Sequence, residues 1–216
     1  MAYRKGTADE AVIAQSFDRD IFFPRVPEYR PQDGDVVIDI GAHIGAFAIL
    51  AASRVGAGRV HAIEASEDTY NLLRINVALN RCTNVATHRL AVTDRDGTGR
   101  LLHGRRNWGY SIAKRFARGA ETVASSTLST FLEQQRIGQC SFLKLNCEGA
   151  EFPILLSSSP AVLGRIELAL VLYHCDLWTD NSLADLVSHL HSAGFQCAIR
   201  ERSEHRGWLI ATRPRS

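Results

Sequence analysis

Residues 36–45 read VVIDIGAHIG and combine an acidic residue with two glycines at the end of an apolar run. A β-branched run of this kind is typical of a buried parallel strand. Gly41 and Gly45 allow a sharp turn and a close approach of a ligand to the backbone. The spacing D-x-G-x-x-x-G differs from the G-x-G-x-x-G of dinucleotide sites. We therefore expect a nucleotide-type ligand other than a dinucleotide, with a positively charged amino group beside Asp39.

A second carboxylate, Glu64, ends the next predicted strand, 23 residues after Gly41. A carboxylate at this place can accept hydrogen bonds from both hydroxyls of a ribose. S-adenosylmethionine carries a ribose and a positively charged amino group, so it fits Asp39 and Glu64 together. Ala91 follows the third predicted strand and could flank an adenine ring. Taken alone, Glu64 could equally be a solvated charge at the start of a helix.

A lysine inside an apolar strand indicates the reacting side of this site. Lys144 lies within FLKLN, where a lone buried ammonium group is costly. It must pair with Asp39, Glu148 or Glu151, or reach into a cleft. Asn146 and Glu148 follow at the strand end and could hold the amino group of a ligand or a substrate hydroxyl. A buried Lys–Glu pair that joins two strands is the structural alternative.

Histidines and aromatic residues supply the remaining candidates. His174 ends the next predicted strand, a position suited to a general base for a hydroxyl. His43 lies between the two glycines, where it could contact cofactor or substrate. Aromatic residues of an irregular segment could stack on a sugar or ring substrate, or pack as a lid on the core. This segment contains Trp108, Tyr110 and Ser111.

The elements that must position these residues alternate between strand and helix. The predicted parallel strands are Val36–Ile40, Val60–Glu64, Val85–Leu90, Ser141–Asn146 and Glu167–Tyr173. The predicted helices are Ala46–Arg54, Glu67–Asn80 with Ser66 as its N-cap, Leu128–Gln135, Glu151–Ser157 and Leu183–Ala193. Residues 98–125 are expected to form one or two short strands and a loop. Phe195–Arg200 and Trp208–Thr212 are expected to form an antiparallel hairpin. The pattern predicts an α/β sheet with helices on both faces.

Composition limits the partners. The chain has 216 residues, 45% of them hydrophobic, and a net charge of +2, which is too small to indicate a nucleic acid or a membrane surface. No apolar stretch is long enough to span a membrane, and residues 1–10 lack the apolar region of a signal peptide. Five cysteines without a C-x-x-C pair indicate reduced thiols in the cytoplasm. We expect a small-molecule acceptor, and a homodimer as the commonest assembly.

These motifs, in this order, resemble the FkbM family of S-adenosylmethionine-dependent methyltransferases over about residues 35–200. The resemblance is carried by DVVIDIGAHIGAFAI, VHAIEASEDTYNLLRINVALN, LAVTDRDG, GYSIAK, TLSTFL, FLKLNCEGAEFPIL and LVLYH. FLKLNCEGAE is the specific part, whereas most class I methyltransferases share the glycine turn. The resemblance implies a Rossmann-like, doubly wound sheet of seven strands, mostly parallel with an antiparallel last strand. It also implies O-methylation, often of a sugar or natural-product hydroxyl.

The resemblance divides the chain into a class I methyltransferase domain, residues 35–216, and an N-terminal helix and lead-in, residues 1–34, that caps the substrate side. We predict cofactor contacts at Asp39, Gly41, His43, Gly45, Glu64, Ala65, Ser66, Ala91 and Asn146. We predict catalytic residues at His174, Lys144, Glu148, Asn146 and His43. The predicted substrate contacts are Trp108, Tyr110, Ser111, Glu148 and His174.

Two departures from the family pattern concern the reacting side. His43 stands where the family usually has Asn, and Asn146 stands where it usually has Asp. The second change removes a carboxylate that could act as base or ligate a metal, so a divalent cation such as Mg²⁺ has no clear ligand set. It also gives His174, or His43, more weight as the base.

Two other functions remain open at this point. An NAD-dependent oxidoreductase would share the sheet and the acidic end of the second strand, although G-x-G-x-x-G is missing. The second alternative is a binding module that kept the fold but lost catalysis. It is suggested by Asn146, which stands where the family usually has Asp.

Overall fold

The computed structural model describes residues 1–103, 110–111, 120–178 and 180–214. The chain begins with helix α1 (Asp9–Ile13), which continues as a π-helical turn over Ala14–Asp18, and a 3₁₀ turn follows at Phe23–Arg25. The N-terminal helix predicted within residues 1–34 is present, but it changes from α-helical to π-helical geometry at Ala14. The hydroxyl of Ser16 donates to the carbonyl of Val12 at 3.1 Å, a local bond that competes with regular helix geometry.

Strands and helices then alternate along the chain. The first half contains β1 (Val36–Ile40), α2 (Ala46–Ala52), β2 (Arg59–Glu64), α3 (Glu67–Leu79), β3 (Val85–Arg89), β4 (Ala91–Val92), β5 (Gly97–His103), β6 (Tyr110–Ser111) and β7 (Ala120–Ser126). The second half contains α4 (Leu128–Gln134), β8 (Phe142–Leu145), α5 (Glu151–Ser157), α6 (Pro160–Leu163), β9 (Leu168–His174), α7 (Leu183–Ser192), β10 (Gln196–Arg200) and β11 (Arg206–Thr212). Most predicted bounds agree within one or two residues, and α6 was not predicted.

Seven strands form the main sheet in the order β10-β11-β9-β8-β1-β2-β3. All neighbours are parallel except that β11 lies between β10 and β9 and runs antiparallel to both. This confirms the predicted seven-stranded sheet with an antiparallel last strand. The strand order reverses between β1 and β8, and ligands of open α/β sheets bind outside the carboxyl ends of strands at such a point.

The two faces of the sheet bury separate cores. Ile38, Leu143 and Val171 point to a core completed by helices α4–α7, whereas Val37 and Phe142 point to the opposite core. That second core is completed by α2, α3 and the N-terminal segment. Helices therefore cover both faces, as predicted. Asp39 and Lys144 lie on the Val37 face, since side chains alternate along a strand.

Strands β4 to β7 form a second sheet, in the order β4-β7-β5-β6. The sequence predicted only one or two short strands and a loop for most of this region. Glycine and polar residues are depleted in strands and leave a weak signal there. The small apolar cluster of Ala91, Leu101 and Val123 supports this sheet.

In the part of the chain that the structure describes, no helix is long and apolar enough to cross a membrane. All five cysteines are free thiols.

A stacked histidine pair makes the fold sensitive to acid. His61 Nδ1 on β2 lies 3.1 Å from His88 Nε2 on β3, and both rings pack edge-on against Phe131. Burial, with the charge of His88, lowers the pKa of His61 to about 4, and burial also lowers the pKa of His88. An unfolded histidine titrates near pH 6.5. The unfolded state therefore binds protons first as the pH falls, and stability is lost from about pH 6.5 towards pH 4.

We expect His61→Phe to reduce this acid sensitivity. The measurement is the free energy of unfolding in urea at pH 7.5 and pH 5. The loss between the two values should be smaller in His61→Phe than in the wild type, whereas His191→Phe, on the exposed side of α7, should lose as much as the wild type. Equal losses in all three proteins would show that the pair does not govern acid stability.

Candidate functional site

A cavity of about 220 Å³ opens at the carboxyl ends of β1 and β8, where the strand order reverses. Nine of the residues predicted from the sequence line it: Gly41, His43, Glu64, Ala65, Ala91, Lys144, Asn146, Glu148 and His174. Asp39, Gly45 and Ser66 are not among its lining residues. Trp108 lies outside the described residues, and Tyr110 and Ser111 are described only as strand β6.

The glycine turn joins three strands at the floor of the cavity. The N–H groups of Gly41 and Ala42 both donate to the carbonyl of Ile63, at 3.0 and 2.9 Å. Gly41 has a φ of +78°, and a Cβ added there would lie 2.1 Å from the carbonyl oxygen of Asn146. The close approach of the turn to the end of β8 thus depends on the missing side chain.

Glu64 is held by the backbone of the turn and of the next helix. Its Oε2 accepts from the N–H of His43 and its Oε1 from the N–H of Ser66, both at 2.9 Å. Ser66 stands at the N-cap position of α3, as predicted, but its side chain makes no capping hydrogen bond. Burial raises the pKa of Glu64, and these backbone hydrogen bonds oppose that rise. The carboxylate is therefore fixed in orientation, and its oxygens keep lone pairs for a ligand.

Lys144 forms a buried ion pair with Asp39. Its Nζ lies 2.6 Å from Asp39 Oδ1, and the rings of Phe22 and Phe47 lie 5.6 and 5.4 Å from the same Nζ. Of the three partners that the sequence left open for Lys144, the structure selects Asp39, because β1 and β8 pair these two residues in register. Burial raises the pKa of Asp39, and the charge and hydrogen bond of Lys144 oppose that rise.

His174 forms a second buried pair, with Glu151. Its Nδ1 donates to Glu151 Oε1 at 3.1 Å, and its Nε2 lies 3.9 Å from Glu148 Oε1. Glu151 also accepts from the N–H groups of Cys147, at 2.7 Å, and Gly149, at 2.8 Å. Burial lowers the pKa of His174, but the hydrogen bond and charge of Glu151, with the charge of Glu148, outweigh it and raise that pKa above 6.5.

The sequence offered Glu151 only as a possible partner of Lys144, whereas the structure pairs it with His174. The N-terminal segment contributes a wall that was not predicted residue by residue: Ala8, Val12, Gln15 and Phe22. Asp9 anchors this wall, since it accepts from the backbone N–H and the side chain of Arg4 at 2.8 to 2.9 Å. Asp9 Oδ1 also lies 3.5 Å from His43 Nε2, so the segment contacts the glycine turn.

Residues 39–197, well over half of the chain, match the sequence model of the methyltransferase FkbM domain. The chain belongs to the FkbM methyltransferase family. This FkbM methyltransferase is therefore an S-adenosylmethionine-dependent enzyme, which decides against the NAD-dependent oxidoreductase and the non-catalytic module. A search of curated protein sequences finds no match to it.

Solved methyltransferase structures share its fold. The precorrin-6y C5,15-methyltransferase from Geobacter metallireducens GS-15 is 14% identical, with a TM-score of 0.53 over 99% of this chain and 94% of that one. An rRNA methylase from Streptococcus thermophilus is 9% identical, with a TM-score of 0.53 over 99% and 100% of the two chains. At these identities the comparison shows the fold alone.

The cavity of this FkbM methyltransferase fits S-adenosylmethionine. Asp39 Oδ2, His43 Nδ1 and Asn146 Oδ1 are buried and have no hydrogen-bond partner among the described residues. Buried polar atoms of this kind are costly unless something pairs with them. Acceptors beside a glycine turn, with the oriented carboxylate of Glu64, suit a ligand that carries an ammonium group and ribose hydroxyls.

The described residues offer no comparable set to a metal ion. Among the described residues of this FkbM methyltransferase, no three or more His, Cys, Asp or Glu side chains are grouped so that they could hold a metal ion. The Mg²⁺ ion considered from the sequence therefore has no ligand set in this part of the chain.

Proposed function

We propose that this FkbM methyltransferase is an O-methyltransferase whose acceptor is a hydroxyl of a small molecule, such as a sugar or another natural product. The observation that carries the proposal is the His174–Glu151 pair at the cavity wall. A hydroxyl must lose its proton when it accepts a methyl group, and an imidazole within reach is the usual general base. The raised pKa of His174 suits it to that task.

The pair also defines where the proton goes. Because Glu151 accepts the hydrogen on Nδ1, the lone pair of the neutral imidazole is on Nε2, the side of Glu148. Nε2 takes the hydroxyl proton, and Glu151 stabilises the imidazolium that results, as a carboxylate does for the histidine of a hydrolase triad. Glu148 and Asn146 orient the acceptor. His43, whose pKa burial lowers to about 4, is a weaker base and serves as a contact.

S-adenosylmethionine, when bound, supplies a methyl group already activated on its sulfonium. Glu64 accepts the ribose hydroxyls, and Ala65 and Ala91 flank the adenine. Asn146, His43 and Asp39 accept from the amino group or nearby polar atoms. Gly41 and Gly45 shape the turn that receives the cofactor, the N–H of Ser66 holds Glu64, and Lys144 holds Asp39 in place. Much of the rate then comes from alignment of the methyl group with the acceptor.

We also propose that residues 1–34 cap the acceptor side. Support comes from the cavity wall, to which Val12 and Gln15 contribute, and from the anchor at Asp9. A net charge of +2 supports a small molecule rather than a nucleic acid as the acceptor.

The test is a methyl-transfer assay with the full chain and a labelled methyl donor. The acceptor panel contains sugars and other hydroxyl compounds, the matching amino sugars, and bulk RNA. We expect label in an ether of a hydroxyl compound, identified by mass spectrometry. Label only in the amines or in RNA would contradict the proposal.

Glu64→Ala tests the cofactor assignment. We expect about a 10- to 100-fold loss of S-adenosylmethionine affinity, measured by calorimetry, because hydrogen bonds to a carboxylate contribute about 1.5–3 kcal/mol each. Asp68→Ala removes the same charge from the exposed first turn of α3 and should bind the cofactor like the wild type. Wild-type affinity in Glu64→Ala would rule out the ribose contact.

A further inference from the structure

The cavity wall carries a cation that the mechanism above does not use. Arg206 begins β11 and lines the cavity together with His174. The two residues are direct register partners in the antiparallel pair of β11 and β9. Residues directly opposite each other in such a pair send their side chains to the same face, with Cβ atoms about 5 Å apart. The guanidinium therefore extends from the same wall as the imidazole.

Asp176 holds this guanidinium at the rim of the cavity. Arg206 Nη2 donates to Asp176 Oδ2 at 3.2 Å, and the arginine side chain remains 49% exposed. Burial raises the pKa of Asp176, but the hydrogen bond and charge of Arg206 outweigh that effect and lower it. A guanidinium has five N–H donors in a planar fork, so a bond through Nη2 leaves donors for a second anion.

Lys144 is the other cation among the described residues that line the cavity. It differs from Arg206 in its exposure and in the strength of its ion pair. It is only 3% exposed and lies 2.6 Å from Asp39, which neutralises it inside the protein. Among the described lysines and arginines that line the cavity, Arg206 is thus the one in contact with solvent. Glu148 lies 3.9 Å from His174 Nε2 and repels a negative group there, so an anion is favoured at Arg206 rather than at the imidazole.

We propose that Arg206 is an anion subsite of the acceptor pocket, and that the acceptor is an acidic hydroxyl compound whose carboxylate or phosphate binds this guanidinium while its hydroxyl lies against His174. The inference rests on the proposed O-methyl transfer. Arginine suits both anions because its fork can donate two parallel hydrogen bonds.

The experiment compares acceptors that differ in one charged group. Methyl glucoside, methyl glucuronide and methyl glucoside 6-phosphate share three ring hydroxyls, and matched neutral and acidic pairs of other hydroxyl compounds extend the set. We expect kcat/KM to favour an acidic member by about tenfold or more at low salt. The preference should shrink as salt screens it. The carboxylate and phosphate arms tell the two anions apart.

Arg206→Gln should remove the preference by raising KM of the acidic acceptor, and its effect on kcat/KM of the neutral acceptor should be much smaller. Arg202→Gln removes the same charge from the exposed hairpin, outside the cavity lining, and should keep the preference. Neutral members methylated as well as acidic ones, or a preference that survives in Arg206→Gln, would overturn the subsite while O-methyl transfer stands. No transfer to any hydroxyl compound would overturn both proposals.

Discussion

Replacing His174 with alanine should lower turnover by about 10²- to 10⁴-fold, the contribution typical of a positioned general base. The affinity for S-adenosylmethionine should stay close to that of the wild type, because none of the cofactor contacts assigned above lies on β9, the strand that carries His174. Turnover is measured with labelled methyl donor and affinity by calorimetry. His174→Gln keeps a polar side chain beside the buried Glu151 carboxylate, and it serves if the alanine variant does not fold.

The pH profile separates a base from a structural residue. The neutral imidazole is the active form, so turnover should rise with pH through the pKa of His174, which Glu151 raises above 6.5. Glu151→Gln removes the charge that raises this pKa. The rising limb should therefore move to lower pH, and the plateau should fall because the imidazolium loses its partner. Unchanged turnover in His174→Ala, or an unmoved limb in Glu151→Gln, would exclude His174 as the base.

The second large effect is expected from Gly41→Ala. The added Cβ would lie 2.1 Å from the carbonyl oxygen of Asn146. That oxygen cannot retreat freely, since the N–H of Asn146 donates to Ile40 at 3.0 Å. The glycine turn must move away from β8, and a displacement of about 1 Å at a site of methyl transfer can cost about 100-fold in rate. We expect a loss of kcat/KM of that order and weaker binding of S-adenosylmethionine.

Gly34→Ala is the matched control for this variant. Gly34 has a φ of +92°, also in the left-handed region, but a Cβ there would meet nothing within 4 Å. Both variants carry the cost of a left-handed alanine, about 1–2 kcal/mol, and only Gly41→Ala carries the clash. Thermal unfolding should show a loss in both proteins. Cofactor affinity that falls equally in both would mean that the clash is irrelevant.

The ends of the strands were the part of the site that the sequence could predict. Asp39, Glu64, Lys144 and His174 each end or interrupt an apolar run, and parallel strands place such residues at one edge of a sheet. The pairing among them was not predictable. Asp39, rather than a glutamate, meets Lys144 because β1 and β8 lie side by side in that register. Strand order is a property of the whole chain and leaves no local signal.

Features that depend on long-range or irregular structure were missed for related reasons. Glu151 reaches His174 because the preceding loop folds back, with Glu148 at a φ of +54°, and no spacing rule encodes that turn. The π-helical turn after α1 lacks the 3.6-residue period on which helix prediction rests. The sequence predicted that the last strand begins at Trp208, whereas β11 begins at Arg206, so the sequence placed Arg206 outside the strand. Its proximity to His174 depends on the pairing of β11 with β9.

The position of β11 also dictates the order in which this enzyme can be assembled. It follows the other six strands of the main sheet in the chain, yet it fills the gap between β9 and β10. Until it arrives, both strands expose unpaired edges, which are prone to wrong pairing. The partners in the β9–β11 ladder lie 32 to 44 residues apart in the chain, a separation that slows folding. The glycine turn can therefore form during synthesis, whereas the wall that carries His174 and Arg206 is completed last.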